Sequence, residues 1–296
     1  KRFKRTEATV VSCYEAGRDG FWLDRYLKTK GIENLVVDSA SIEVNRRARR
    51  AKTDRLDVGK LLGLLMRYDN GERKVWKTIE VPSQAAEDNR HLHRELRDLK
   101  TERARHSNRI KGFLAGQGIT MEVNKSFLKN LEAIRIWDGT CLQEGVRSRM
   151  EREYQRILLI DQQIEQLEAR RQEFLQTSTD SSVELVRQLM RLRAIGIESA
   201  WLYAMEFFSW RKFRNRKEVG ALSGLTPTPY QSGDSCKEQG ISKAGTRYVR
   251  SLAIEMAWCW LRFQPKSKLS LWYQQRFGAG NARIRRIGIV ALARKL

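Results

Sequence analysis

The sequence is poor in the residues from which most metal and nucleophile sites are built, with four cysteines and three histidines among 296 residues. Cys13, Cys141, Cys236 and Cys259 lie far apart and form no Cys-x-x-Cys pair, which excludes a zinc knuckle and leaves no readable disulfide framework. Reduced thiols and a cytoplasmic location are the expectation from that usage. His91 and His93 diverge on a helix, and with His106 they fall in one helical stretch, so neither a shared metal nor a protease-like triad is expected. No GxxxxGK[ST] phosphate loop is present, and nucleotide hydrolysis therefore has no support. Lys or Arg interrupts every apolar run short of the roughly 18 to 20 residues that a membrane span needs. An integral membrane protein is not expected. The chain opens on Lys1-Arg2-Phe3-Lys4, with neither an initiator Met nor an apolar leader core behind it, and reads as lacking its beginning.

What the sequence has in abundance is positive charge. Lys and Arg number 57 against 35 Asp and Glu, a net charge of +22, while 41% of residues are hydrophobic, enough for packed cores. The charge is uneven: residues 1–80 hold 19 basic and 12 acidic residues, 81–180 hold 17 and 16, and 181–296 hold 21 and 7. Two basic ends around a near-neutral middle suit a spacer joining two modules that face nucleic acid, because polyphosphate binding scales with the phosphates neutralised.

Val-rich residues 8–14 read as a strand, followed by an amphipathic helix with Phe21, Trp22, Leu23, Tyr26 and Leu27, and a second strand at 34–37. A basic loop with Arg46, Arg47, Arg49, Arg50 and Lys52 precedes a helix from Thr53. Strand, helix, strand, helix within about 70 residues is an α/β unit. From Ser83 to about Leu114 the pattern turns helical, with Leu92, Leu96, Leu99, Arg103, His106, Ile110 and Phe113 on one seam. A second run places Ile157, Ile160, Ile164, Leu167, Arg171 and Phe174 on one face, and the two are expected to pair as an antiparallel hairpin. Gly112, Gly116, Gly118 and Gly139 are expected to break the helix between them, and polar residues 177–182 to form a hinge. Two further helices at 183–193 and 199–208, and a shorter one at 217–223, precede residues 228–241, which read as a loop. Ser242 is expected to cap a last strong helix that buries Val249, Leu252, Ala253, Met256, Ala257 and Trp260.

Two constellations could carry chemistry. Glu15 ends a strand, and Asp54 and Asp57 share one face of a helix; carboxylates gathered in this way can hold Mg²⁺ ions against a phosphate. Taken singly, both aspartates are equally explained by the positive end of the helix dipole. The second constellation is Tyr230-Gln231-Ser232-Gly233, followed by Lys237, Lys243, Arg247 and Arg250, cations able to hold a phosphate beside an accessible serine. Ser235 and Ser242 compete with Ser232 for that role, and Cys236 is a further candidate nucleophile. Trp258, Trp260 and Trp272 could stack on bases or lie in the core.

Together these segments resemble the DEDD-type transposases of bacterial insertion sequences, the bridge-RNA-guided recombinases related to the Piv-type DNA invertases. Cys13-Tyr14-Glu15-Ala16-Gly17 resembles that family's second-acid strand, and Lys52-Thr53-Asp54-Arg55-Leu56-Asp57 its Lys-Thr-Asp-x-x-Asp motif. Gly224-Leu225-Thr226-Pro227, Tyr230-Gln231-Ser232-Gly233 and Ile241-Ser242-Lys243-Ala244-Gly245 resemble, in order and spacing, the signature of its C-terminal domain. The resemblance implies an α/β plus α architecture: a RuvC-like domain of RNase H type over 1–80, a helical coiled-coil insertion over 81–180, and a mostly helical transposase domain over 181–296. It implies Ser232 as the catalytic serine and Glu15, Asp54 and Asp57 as the second to fourth acids, with Mg²⁺ as cofactor. The family's first acid has no match after residue 1, and Arg193-Ala194-Ile195-Gly196 departs from the family's Pro-Gly-Ile-Gly turn. DNA as donor and target, a guide RNA and a homo-oligomer, dimer or tetramer, are the implied partners. A metal-dependent structure-selective nuclease and a non-catalytic nucleic-acid scaffold are the rival readings.

Overall fold

A computed structural model describes residues 8–17, 20–42, 53–232 and 235–296. The chain divides into two compact units, residues 1–83 and 84–296.

In the first unit, β1 (Val11–Glu15) and β2 (Glu33–Val37) pair in parallel, with Val11 opposite Glu33 and Glu15 opposite Val37, and helix α1 (Trp22–Thr29) connects them. Parallel neighbours need such a crossover. α1 is held to the strands by a buried polar chain. The Asp24 carboxylate accepts from Asn34 Nδ2 and Lys28 Nζ at 2.8 Å each, and Ser12 Oγ donates to Asn34 Oδ1 at 2.8 Å. After β2, helix α2 (Asp54–Asp69) starts at the N-cap Thr53, whose hydroxyl accepts from Leu56 N. Val37, Leu64, Leu65, Val75 and Trp76 close the small core of this unit.

The second unit begins with the short α3 (Gln84–Asp88) and the long α4 (His91–Ala115), followed by α5 (Phe127–Leu131) and α6 (Glu144–Thr177). α4 and α6 form an antiparallel pair. At its tip, Ile110, Leu114, Phe127, Leu131, Met150, Tyr154 and Ile157 make one core. The polar seam positions are occupied by ion pairs: His106 with Glu153, Arg103 with Asp161, and Lys100 with Glu168 at 3.1 Å. Burial pushes the Glu153 carboxyl up, but its His106 hydrogen bond and the charges around it leave it below the usual range. Gly112 lies inside α4 rather than ending it; the helix stops at Gly116.

Helices α7 (Ser181–Met190) and α8 (Ile197–Tyr203) follow, and α8 runs into a π-helical turn, Ala204–Phe208. Asp180, in the segment expected to be a hinge, caps α7 by accepting from Ser182 N at 2.8 Å. Next come α9 (Arg216–Leu222), β3 (Pro227–Ser232), β4 (Ser235–Ile241), α10 (Arg247–Phe263), α11 (Lys268–Tyr273) and α12 (Ala282–Lys295). α10 buries Val249, Leu252, Ala253 and Ala257, and packs with Leu225, Tyr273, Ile289 and Leu292.

Two expectations are corrected here. Residues 228–241 are an antiparallel hairpin rather than a loop, with Tyr230 opposite Lys237 and Ser232 opposite Ser235. The hairpin's described side chains are largely exposed, so no apolar alternation marks it, and Pro227 and Pro229 sit where the register slips. Ser242 does not cap α10, whose N-cap is Thr246; its hydroxyl accepts from Ala244 N at 3.4 Å and forms a local turn.

Candidate functional site

Ser232 is the last residue of β3. Its side chain is exposed, its carbonyl accepts from Ser235 Oγ at 3.1 Å, and its hydroxyl makes no hydrogen bond among the described residues. The hairpin that carries it is anchored at its base by two interlocked turns. Gly224 and Gly245 both have positive φ, at 71° and 73°. A Cβ on Gly224 would come within 2.0 Å of Ala244 O, and one on Gly245 within 2.2 Å of Leu222 O, so only glycine permits the backbones to approach this closely. Lys243 N donates to Gly224 O at 3.1 Å and Ser242 N to Thr226 O at 2.8 Å. Arg250 Nη1 donates to Ala244 O at 3.2 Å, which locks the turn onto α10. Lys243 itself sits at φ 54°, a left-handed conformation uncommon for a side chain of its size.

Lys243, Arg247 and Arg250, three of the cations singled out in the sequence, follow the hairpin directly. Arg247 opens α10 and is exposed, as is Lys243, while half-buried Arg250 braces the turn. Lys237 pairs through its backbone with Tyr230, and its side chain lies outside the described residues. Arg46, Arg47, Arg49, Arg50 and Lys52 lie outside the described residues as well.

The histidines are engaged elsewhere or remote in the chain. His93 Nε2 lies 3.0 Å from Glu206 Oε1 and His106 is paired with Glu153, while His91 opens α4 at the surface. Glu206, on the π-helical turn, also accepts two hydrogen bonds from Arg94 at 2.8 and 3.0 Å, and Arg90 lies 3.9 Å away. Burial pushes this carboxyl up, but the His93 hydrogen bond and the Arg94 charge outweigh it and hold the group at about 2.

In the first unit, Glu15 ends β1 with its side chain exposed. Asp54 and Asp57 occupy the first turn of α2, both exposed, where the helix dipole favours negative charge. Among the described residues, no group of three or more His, Cys, Asp or Glu side chains is placed to hold a metal ion. Glu15, Asp54 and Asp57 thus do not form a closed cage by themselves. Of the tryptophans, Trp258 is 49% exposed, Trp260 Nε1 donates to Ser267 Oγ, and Trp272 packs edge-on against Phe277.

Two cationic segments escaped the sequence reading. Arg211, Lys212, Arg214, Arg216 and Lys217 put five cations in seven positions leading into α9, and Arg283, Arg285 and Arg286 open α12, all three exposed. The density of Lys and Arg was the available signal. Among the described residues no helix is long and apolar enough to cross a membrane.

The segment that holds this hairpin and its clamp is also where the chain matches a family model. Residues 186–271 match the model of the IS116/IS110/IS902 family of transposases. The chain is similar to "Putative transposase y4rJ" of Sinorhizobium fredii, 41% identical over 97% of this chain and 75% of that protein. It is also similar to "Putative transposase y4qE" of the same organism, 29% identical over 87% of this chain and 60% of that protein. The "Transposase for insertion sequence element IS1328" of Yersinia enterocolitica is 26% identical over 56% of this chain and 48% of that protein. The protein belongs to the IS116/IS110/IS902 family of transposases. It spans three quarters of the first of these relatives, and 60% and 48% of the other two.

Proposed function

We propose that the protein cuts and rejoins DNA strands through a covalent phosphoserine at Ser232. The observation that carries this reading is an exposed hydroxyl, without a hydrogen bond among the described residues, at the end of a strand whose base is clamped by Gly224, Gly245 and Arg250. Ser232 Oγ attacks the scissile phosphorus, forming a serine–phosphate ester as the bond to one sugar oxygen breaks, and that oxygen leaves with a proton. Attack by a second strand's hydroxyl reverses the step, and the ester conserves the bond so that no nucleotide is consumed. Lys243 and Arg247 lie beside the hairpin as phosphate-binding cations, with Lys237 on the facing strand.

The remaining parts of the reading rest on the resemblance and on charge. The first unit is taken as RuvC-like; its parallel strand pair with a helical crossover supports this. Glu15, Asp54 and Asp57 are taken as contributors to a Mg²⁺ site. Mg²⁺ keeps several waters and is commonly held by one or two carboxylates together with substrate phosphates, so an incomplete protein cage accords with a site that DNA completes. A guide RNA is taken to choose the target, in keeping with a +22 protein that contacts backbones. The working particle is taken as a homo-oligomer.

The test is a denaturing gel of the protein with cognate DNA and RNA. Wild type is expected to yield a denaturation-resistant protein–DNA adduct, and Ser232→Ala to bind nucleic acid without forming one. An adduct that persists in Ser232→Ala defeats the assignment. Hydrolysed strands with no adduct in wild type point instead to a nuclease that uses water.

A further inference from the structure

Helix α2 is apolar on two sides, and the described residues of its own unit cover one of them. Leu61, Leu64 and Leu65 pack against the strands. On the other side Val58, Leu62 and Met66 are 63%, 55% and 59% exposed, and their four-residue spacing aligns them in one stripe. Arg55 precedes Val58 by three positions and Asp69 follows Met66 by three, which extends the stripe to both ends of the helix. Its order is Arg, Val, Leu, Met, Asp at spacings of three, four, four and three, symmetric about Leu62.

Neither charged end suits its own helix. Arg55 stands in the first turn, at the positive end of the dipole, and Asp69 is the last residue, at the negative end. Neither forms an ion pair among the described residues. Beside the stripe, Gly59 and Gly63 leave open space, since a Cβ on either would meet nothing within 4 Å. Glycine inside a helix weakens it relative to alanine, and no packing among the described residues calls for these two.

We propose that this stripe is an interface between two copies of the chain, with α2 pairing antiparallel across a two-fold axis at Leu62. Leu62 then meets Leu62 of the second copy once, on the axis, while Val58 meets Met66 and Arg55 meets Asp69, each twice. Parallel pairing would set Arg55 against Arg55 and Asp69 against Asp69, so charge selects the antiparallel arrangement. In a contact between identical surfaces each residue meets the one equally far on the other side of the axis, and the even spacing about Leu62 with opposite charges at its two ends meets that condition. The glycines remove bulk at the flank of the contact. One helix pair lies at the small end of specific interfaces, so the association is concentration-dependent. The inference names a surface for the homo-oligomer of the proposed function and is independent of the chemistry at Ser232.

Sedimentation of the 296-residue chain over a dilution series tests it. Leu62→Lys and Arg55→Glu are each expected to weaken self-association at least about tenfold, roughly the effect of one good contact. The double variant Arg55→Glu/Asp69→Arg, with the charges exchanged, is expected to return to within about threefold of wild type. Both charge changes suit the dipole of an isolated helix, so weaker association in Arg55→Glu cannot be ascribed to a melted α2, and circular dichroism verifies this. A wild type that stays monomeric at its highest soluble concentration overturns the proposal. So does association unchanged by the single variants, or unrescued by the double one. Adduct formation in the gel assay is read separately, so a failure of the Ser232 assignment leaves this result standing.

Discussion

Glu206 and Arg94 form a two-pronged ion pair, Oε1 accepting from Nε at 2.8 Å and Oε2 from Nη2 at 3.0 Å, that fastens the π-helical turn after α8 to the long helix α4. Their positions are 112 residues apart in sequence, and His93 and Arg90 gather around the same carboxylate. The contact ties the helical hairpin to the family-matched segment within one compact unit.

Glu206→Gln is expected to destabilise the protein by about 3–5 kcal/mol, because the nine-tenths-buried Arg90 side chain and buried His93 lose their anionic partner. The pH dependence has a definite sign. A carboxyl held at about 2 in the folded protein and near 4.5 when unfolded contributes stability that is fully present above about pH 4.5 and is lost as pH falls towards 2. That contribution is on the order of 3 kcal/mol. Urea unfolding at intervals between pH 5 and 2 should show the extra slope in wild type and lose it in Glu206→Gln.

Gly224→Ala is expected to loosen the hairpin. The added Cβ would meet Ala244 O at 2.0 Å, and alanine disfavours φ of 71°. A loss of at least about 2 kcal/mol follows from strain and overlap together. Gly240 has φ of 89° with nothing within 4 Å of an added Cβ, so Gly240→Ala should cost only about 1 kcal/mol. Chemical denaturation ranks the two, and amide exchange in β3 and β4 should accelerate more in Gly224→Ala. Equal effects would show that the close approach to Ala244 is not what restrains the hairpin.

Asp54→Asn is expected to lower Mg²⁺ affinity measured by calorimetry in the presence of cognate DNA, while helix stability changes by only about 0.3–1 kcal/mol through the dipole. Unchanged affinity would leave Asp54 as a helix-terminus residue and nothing more.

Asp24→Ala is expected to lower stability by about 1–3 kcal/mol, because Asn34 Nδ2, donating to Asp24 Oδ1 at 2.8 Å, is left buried without its acceptor. Asn34 is 5% exposed, so water cannot easily substitute. Thermal unfolding of the first unit provides the measurement.

Much of the helical framework was legible from residue spacing. Leu92, Leu96, Ile110, Ile157 and Ile160 are buried as their three- and four-residue recurrence predicted, and the polar members of the seam, Arg103 and His106, find acids on the facing helix. Thr53 before Asp54 was legible as a helix start. The hairpin of β3 and β4 was not, because its largely exposed side chains leave no period-two apolar signal. The roles of Asp24 and Glu206 were not legible, since nothing near either residue announces a partner ten or more than a hundred positions away.

The amino-acid order alone determined which helix faces turn inward, where positive charge concentrates, and the succession of motifs that marks the transposase family. Those properties depend on neighbours within a turn or two, or simply on residue type. The tertiary structure decided which polar groups are buried and with whom, that Gly224 and Gly245 clamp the base of the Ser232 hairpin, and that α2 keeps Val58, Leu62 and Met66 exposed among the described residues. Such facts depend on contacts between segments far apart in the chain, whose energies are set by burial and geometry that no local pattern encodes.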